Sequence, residues 1–243
     1  MNATTAGLGA CLLSGAALAQ PISGMTSPQV FSVSGIPNFS ETFSVAQFDA
    51  AAVAAGLGGG ITAGDVTLTS VEISLEINVT GGQLEFDNDG QDGGSVTADF
   101  GVFSSVTSPD VALPAISANP FVSDTFSLSG DTPNGGADGP TFDGGQSGDT
   151  DFGTLDGAAL SDSDMSILLS GLAPFAGTGT VDFDVDTTTF VNFTGLSGLS
   201  SATSPANVDG EFNVKYHYTA VPTPASAALL GFGGLVAARR RRG

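Results

Sequence analysis

Hydrophobic and polar residues alternate with a period of two through most of residues 28–219. The clearest run is 71–79, in which every odd position is Val, Ile or Leu and every even position is polar. Such alternation is typical of a strand with one buried face and one exposed face. Val66 and Leu68 have the opposite phase, which predicts a bulge or break at residues 69–70.

Further alternating runs predict strands at 181–193 and 212–219, bounded by clusters of Gly, Pro, Asn and Asp. Weaker alternation predicts four more strands, at 29–34, 40–45, 94–104 and 121–129. An alanine-rich stretch predicts one helix over residues 50–55, capped by Asp49 and ended by Gly56.

The pattern as a whole indicates an all-β chain. Many short strands with one apolar face each, and no βαβ spacing, predict a single antiparallel β-sandwich, jelly-roll or Ig-like, over residues 20–220. The Gly- and Asp-rich residues 130–158 are interpreted as a long loop between two of its strands. The hydrophobic fraction of 41%, with 17 Phe, is enough for a buried core.

The segment 1–19 is predicted to be a secretory signal peptide. Residues 6–19 form an uncharged, small-to-apolar run that ends in Ala17-Leu18-Ala19, a small-x-small pattern of the kind that signal peptidase cleaves. The run is too short for a membrane span of ~20 residues. We therefore expect the export machinery to carry the chain out of the cytoplasm.

Residues 221–243 contain three features in order: a Pro-x-Pro motif, an apolar stretch at 225–238 and a terminal arginine cluster. The apolar stretch predicts a transmembrane helix, and the arginines that follow it favour the cytoplasmic side. The motif consists of Pro222, Thr223 and Pro224, and the cluster consists of Arg239, Arg240, Arg241 and Arg242.

This ordered trio resembles the PEP-CTERM sorting signal of bacteria. The resemblance implies that the chain is exported, anchored in the membrane through residues 225–238 and processed near the motif by an exosortase-type membrane protease. Thr223 stands where that signal usually has glutamate. In this interpretation the body lies in the cell envelope or outside the cell, and it is membrane-anchored before processing.

Three segments of the body carry a second resemblance. They are Phe43-Ser44-Val45-Ala46-Gln47-Phe48-Asp49, residues 172–181, and Val214-Lys215-Tyr216-His217-Tyr218. Together they resemble the choice-of-anchor E domain, a β-rich bacterial surface domain found ahead of C-terminal anchors. The resemblance covers residues 29–219. It implies a β-rich fold and brings no activity, cofactor or catalytic residue.

The formal net charge of −20 excludes one class of partner. Four of the five bases are the terminal arginines, so Lys215 is the only base in the body. A body with this balance repels phosphate backbones, and no nucleic-acid partner is expected. The single cysteine, Cys11, excludes internal disulfides and multi-thiolate zinc sites. The single histidine, His217, excludes multi-histidine metal centres.

The loop Asp87–Gly94 is the strongest candidate metal site in the sequence. Asp87, Asp89 and Asp92 offer carboxylate oxygens on a Gly-rich loop, an arrangement that suits Ca²⁺. The loop lacks the spacing of an EF-hand, and an ordinary Asp/Gly hairpin turn explains the same residues. A looser acidic cluster has the same two explanations and consists of Asp143, Asp149 and Asp151.

Other chemistry-bearing residues are predicted to lie on strand faces. Asp182, Asp184 and Asp186 share one face, so their charges need screening by solvent or by a cation. His217 is expected on a polar face, as a surface residue rather than a ligand or base. The 25 acids leave a carboxylate pair for glycoside hydrolysis open, but no nucleophile–His–acid constellation is visible.

These observations predict a non-enzymatic, exported bacterial surface or extracellular-matrix protein with a transient membrane anchor. The alternative is a carbohydrate- or exopolysaccharide-binding β-sandwich module, with or without calcium. A secreted hydrolase with two catalytic carboxylates is the third hypothesis. The expected partners are the export machinery and signal peptidase, an exosortase-type sorting enzyme, the membrane and exopolysaccharide.

Overall fold

The computed structural model describes residues 20–58, 60–130 and 150–222. Within them, two antiparallel sheets pack face to face as a sandwich, as the alternation predicts. The predicted signal peptide 1–19 and the sorting segment from Thr223 onward lie outside the described residues. No helix among the described residues is both long enough and apolar enough to cross a membrane.

Among the described residues, six strands form sheet A and five form sheet B. Sheet A contains β1 (Ile22–Met25), β2 (Gln29–Gly35), β4 (Val66–Asn88), β8 (Phe152–Asp156), β9 (Leu160–Leu168) and β11 (Leu199–Ala220). Sheet B contains β3 (Phe39–Ala46), β5 (Gly94–Thr107), β6 (Ser117–Ala118), β7 (Phe121–Leu128) and β10 (Thr180–Thr194).

The two longest strands, β4 and β11, form the middle of sheet A and pair along almost their whole length. At one end, called proximal here, Ile22 lies opposite Ala220. At the other end, called distal, Leu199 lies opposite Asn88. The predicted bulge is confirmed at Thr69, because the partners of His217 and Tyr218 on β4 skip that residue.

A local break divides the sandwich core into two clusters. Gly81 and Gly82 have positive φ angles of 69° and 82° in the middle of β4, a conformation that favours glycine. The partner strand has Pro205 at this level, which has no N–H to donate to the ladder. A Cβ on Gly82 would lie 3.0 Å from Ala206, so only glycine fits without displacement.

The proximal core fills the sandwich from Val66 to the break, and its centre is a group of phenylalanines around Phe212. The distal core is smaller and consists of Leu84, Phe86, Val96, Ala98, Phe100, Leu128 and Leu155. Both cores are filled by the inward-facing side chains of strands whose sequences alternate between apolar and polar residues, because the hydrophobic effect favours apolar side chains there.

Two local expectations need correction. Helix α1 covers Ala50–Leu57 and ends at Gly58, so Gly56 does not stop it. The helix continues because the N–H of Gly58 still donates to the Ala54 carbonyl, while the predicted cap is confirmed by the Asp49 carboxylate. The loop interpretation of 130–158 is wrong over β8, which pairs with the distal part of β4.

One open side of the sandwich is closed by two aspartates of β9. Asp162 and Asp164 occupy inward positions of this edge strand, opposite Ile77 and Leu75 of β4. Their carboxylates accept hydrogen bonds from the backbone N–H groups of Asn119 at 2.7 Å and Ser117 at 3.0 Å. These bonds join the edge of sheet A to the edge of sheet B at β6.

Candidate functional site

A polar groove of about 290 Å³ lies on the outer face of sheet A in its proximal half. Outward positions of β4 and β11 form its floor, and the segment before β2 forms one wall. It is lined by Pro28, Val30, Glu72, Ser74, Glu211, Asn213 and Lys215. Alternation explains the polarity, because the inward neighbours of the floor residues fill the proximal core.

Glu72 is the centre of the charge network in this groove. Its two carboxylate oxygens contact the Lys215 ammonium at 2.6 Å and the His217 ring at 3.1 Å. The hydrogen bond from Lys215 is the main cause that lowers the pKa of Glu72, partial burial opposes it, and the His217 contact adds to it. The single lysine and the single histidine of the chain therefore meet at one carboxylate.

This arrangement favours binding or stabilisation over proton transfer. Lys215 and His217 each contact one oxygen of Glu72, and the lowered pKa makes this carboxylate a weaker base than an ordinary glutamate. Ser70 lies opposite His217 in the strand register, but Glu72 contacts Nε2, the ring nitrogen that faces the nucleophile in a Ser-His-acid triad. His217 is a surface residue with a carboxylate partner.

The three aspartates predicted to bind calcium lie around the distal hairpin between β4 and β5. Asp87 is buried within β4, Asp89 is half-buried and Asp92 is exposed. Among the described residues, no three His, Cys, Asp or Glu side chains come together as a metal-binding group. Asp89 Oδ1 is buried without a hydrogen-bond partner, so it is the atom that a cation would satisfy.

The residue that organises this hairpin is Asn88, which no sequence pattern distinguishes from the other polar residues of the loop. Its side-chain amide donates to the carbonyls of Ser129 at 2.7 Å and Asp92 at 3.1 Å, and its Oδ1 accepts from the Gly90 N–H. Its N–H donates to the Asp151 carbonyl. Asp151 is therefore near the hairpin, whereas Asp143 and Asp149 lie outside the described residues.

The aspartates of β10 lie on the outer face of sheet B, as expected. Hydroxyl groups of β3 stabilise two of them: Thr42 donates to Asp184 at 2.6 Å and Ser44 donates to Asp182 at 2.7 Å. Neighbouring side chains as well as solvent therefore stabilise these charges. Among the described residues they form no group of three metal-ligating side chains, so they remain a hydrogen-bonded outer face.

The three segments behind the choice-of-anchor E resemblance contact one another at the proximal end. The Gln47 side chain donates to the Pro174 carbonyl and accepts from the Gly179 N–H, both at 2.8 Å. The Tyr216 hydroxyl donates to the Ala46 carbonyl at 2.8 Å, and its ring packs against Phe48. Their shared role here is to close the proximal core.

No protein-family model matches the chain, and neither does any curated protein. Three solved structures with some similarity concern infectious bursal disease virus. They are the Gx strain (10% identity, TM-score 0.19, covering 93% of this chain and 51% of that one), the Gt strain (11%, 0.12, 93% and 49%) and the VP2 subviral particle (12%, 0.10, 88% and 50%). This chain spans about half the length of these matches. TM-scores this low do not establish a shared fold.

Proposed function

We propose that this chain is an exported bacterial surface or extracellular-matrix protein, non-enzymatic, anchored for a time by a PEP-CTERM-like tail. The observation that carries the proposal is the tail itself: a Pro-x-Pro motif, an apolar stretch and an arginine cluster directly follow the last strand. Within the sandwich class, we keep the jelly-roll or Ig-like topology and the choice-of-anchor E resemblance as parts of the same proposal.

The position of the two ends of the described body supports this proposal. Because Ile22 pairs with Ala220, the segments before and after the body leave the sandwich at the same proximal end. An anchor that begins at residue 221 would hold this end near the membrane. The distal hairpin would then lie away from it, by ~75 Å if the 23 residues of β4 each rise ~3.3 Å.

Fractionation of the native host tests the proposal. We expect cleavage after Ala19, the remaining chain in the membrane fraction before its tail is processed, and accessibility of the body to protease added outside the inner membrane. Removal of residues 221–243 should release the body into the periplasm or medium. A full-length chain that stays soluble in the cytoplasm with residues 1–19 retained would contradict the proposal.

The role of the tail can be tested separately from export. Replacing Arg239, Arg240, Arg241 and Arg242 by serine removes the positive charge behind the apolar stretch and keeps its length. We expect this variant to be exported but poorly retained and poorly processed, whereas Thr223→Glu should be processed at least as well as the natural chain. Equal processing of the tetra-serine chain would argue against an exosortase-type enzyme.

A further inference from the structure

Three phenylalanine rings lie on the outer face of sheet B, away from both cores. Phe103 is 42% exposed and Phe121 is 49% exposed, while Phe190 is half-buried against Phe121 with ring centroids 5.8 Å apart. The three rings are called the aromatic patch here. They surround Gly101, where a Cβ would collide with the Pro120 carbonyl.

The strand register rules out a core role for the patch. On β5 the inward positions are Phe100, Val102 and Ser104, so Phe103 must point outward. Removing a phenylalanine ring from water is favourable, so a cluster of exposed rings gains free energy when a partner covers it. Such clusters therefore mark interaction surfaces more often than isolated apolar residues do. Most phenylalanines of the sequence occupy the apolar positions of the alternating runs, and these three are exceptions.

A row of hydrogen-bonding groups lies beside the patch on the same face. Asn192, Asp99 and Ser123 sit side by side on β10, β5 and β7, and the Asn192 amide donates to Asp99 at 2.9 Å. The row offers a carboxylate, an amide and a hydroxyl at half-exposed or exposed positions. Aromatic side chains next to a few convergent polar groups are a usual lining of ligand sites, and a polyhydroxylated ligand has both an apolar C–H face and hydrogen-bonding groups to match them.

Charge narrows the class of ligand. The same face carries Asp182, Asp184 and Asp186, and no base lies among its described residues, since Lys215 is on sheet A. An anionic polymer would be repelled. We infer that the outer face of sheet B binds a neutral extracellular polysaccharide, with the apolar C–H face of a sugar ring on the aromatic patch and its hydroxyls on the polar row.

The inference goes beyond the proposed function and is tested in vitro, independently of export. The purified whole chain, in a sugar-free non-ionic detergent, is run on native gels cast with uncharged glucans, mannans or galactans, and with alginate as the anionic control. We expect at least one neutral polysaccharide to retard the chain and alginate not to. Phe103→Ala and Phe121→Ala should each weaken the retardation about tenfold.

Met165→Ala is the matched control, because Met165 is a 55% exposed apolar side chain on the outer face of sheet A. It should leave retardation unchanged, and unfolding midpoints of all variants should stay close to that of the natural chain. The inference is overturned if no neutral polysaccharide retards the chain. It is also overturned if the double Phe variant, which carries both Phe103→Ala and Phe121→Ala, is retarded as strongly as the natural chain. A third contradicting result is light scattering in which the natural chain is a dimer and the double Phe variant is a monomer, because the patch would then bind a second copy.

Discussion

Single polar side chains hold segments of this sandwich that are far apart in sequence. Gln47 bonds to the segment before β10, and Asn88 bonds to Asp92 in the distal hairpin and to Ser129 after β7. Neither could be predicted from the sequence, because one amide among many polar residues has no distinguishing pattern. Inward apolar positions such as Ile73 and Phe183 could be predicted, since the period of two assigns them directly.

Tyr216 gives a prediction for the alkaline side. The residue is 2% exposed, and burial raises the pKa of its hydroxyl to about 12, while a hydrogen bond from Gln29 opposes the change. A raised pKa in the folded state means stability that is present below pH 10 and lost as pH rises to about 12. The loss should be on the order of 3 kcal/mol, because the unfolded state ionises first.

The measurement is the denaturation midpoint between pH 9 and 12 for the natural chain and for Tyr216→Phe. The variant loses the hydrogen bonds of the hydroxyl with Ala46 and Gln29 and is expected to be less stable at pH 8, but its midpoint should fall less steeply above pH 10. Lys215 and Tyr218 are present in both proteins and serve as internal controls. Parallel curves would show that ionisation of Tyr216 does not limit alkaline stability.

Calcium binding at the distal hairpin stays a prediction that Asp89 can test. Bound at Asp89 Oδ1, a divalent cation would satisfy a buried oxygen and reduce the self-repulsion of a chain of charge −20. At free calcium near 100 times the dissociation constant, the stabilisation should be about 2.7 kcal/mol. Melting curves in chelator, in calcium and in sodium chloride at matched ionic strength measure it.

Asp89→Ala should remove the calcium response, and Asp124→Ala, an exposed acid on β7, should leave it intact. If sodium chloride raises the midpoint as much as calcium does, general screening explains the effect and the hairpin is an ordinary Asp/Gly turn held by Asn88.

Among the elements, two strands that the sequence missed, β8 and β9, have inward positions that are only partly apolar. Those of β9 include Asp162, Asp164 and Ser166, and in β8 one inward position is Gly153, whose Cβ would collide with the Phe86 ring. Alternation cannot be seen where acids or glycine replace the core residues. An inward acid on an edge strand also discourages edge-to-edge pairing with another chain.

The Asp164 bond to β6 leads to a stability prediction. Removing the acceptor in Asp164→Ala leaves the N–H of Ser117 without its partner, which should cost about 1–2 kcal/mol. Asp164→Asn keeps an acceptor oxygen and should recover part of the loss. Urea denaturation measures both. Asp124→Ala is the matched control, because its carboxylate bonds only to the N–H of the next residue and its loss removes the same charge.

Each substitution relieves some self-repulsion, so the difference between Asp164→Ala and Asp124→Ala isolates the bond between the sheets. Equal midpoints for these two variants would show that the contact contributes nothing to stability in solution.

At the scale of the whole molecule, the paired long strands β4 and β11 extend along both cores. The proximal core is the larger and includes the closure around Tyr216, whereas the distal core lies beyond the break at Gly82. Stability in proteins is distributed unevenly, and a small cluster joined to the rest through a weakened stretch of ladder opens with less free energy. We expect amides of β8 and of the distal part of β5 to exchange hydrogen faster than those of residues 71–79.

Leu75 and Leu84 are a matched pair for this test, since both are fully buried leucines of β4 and one belongs to each core. Each alanine substitution should cost about 2–5 kcal/mol locally. Leu84→Ala should accelerate exchange only in the distal strands and lower the global midpoint little, whereas Leu75→Ala should lower the midpoint and accelerate exchange throughout. If Leu84→Ala instead accelerates hydrogen exchange uniformly in both cores, the sandwich unfolds as one unit despite the break. The ladder at Gly81 and Gly82 would then couple the two cores as strongly as any other part of the β4–β11 pairing does.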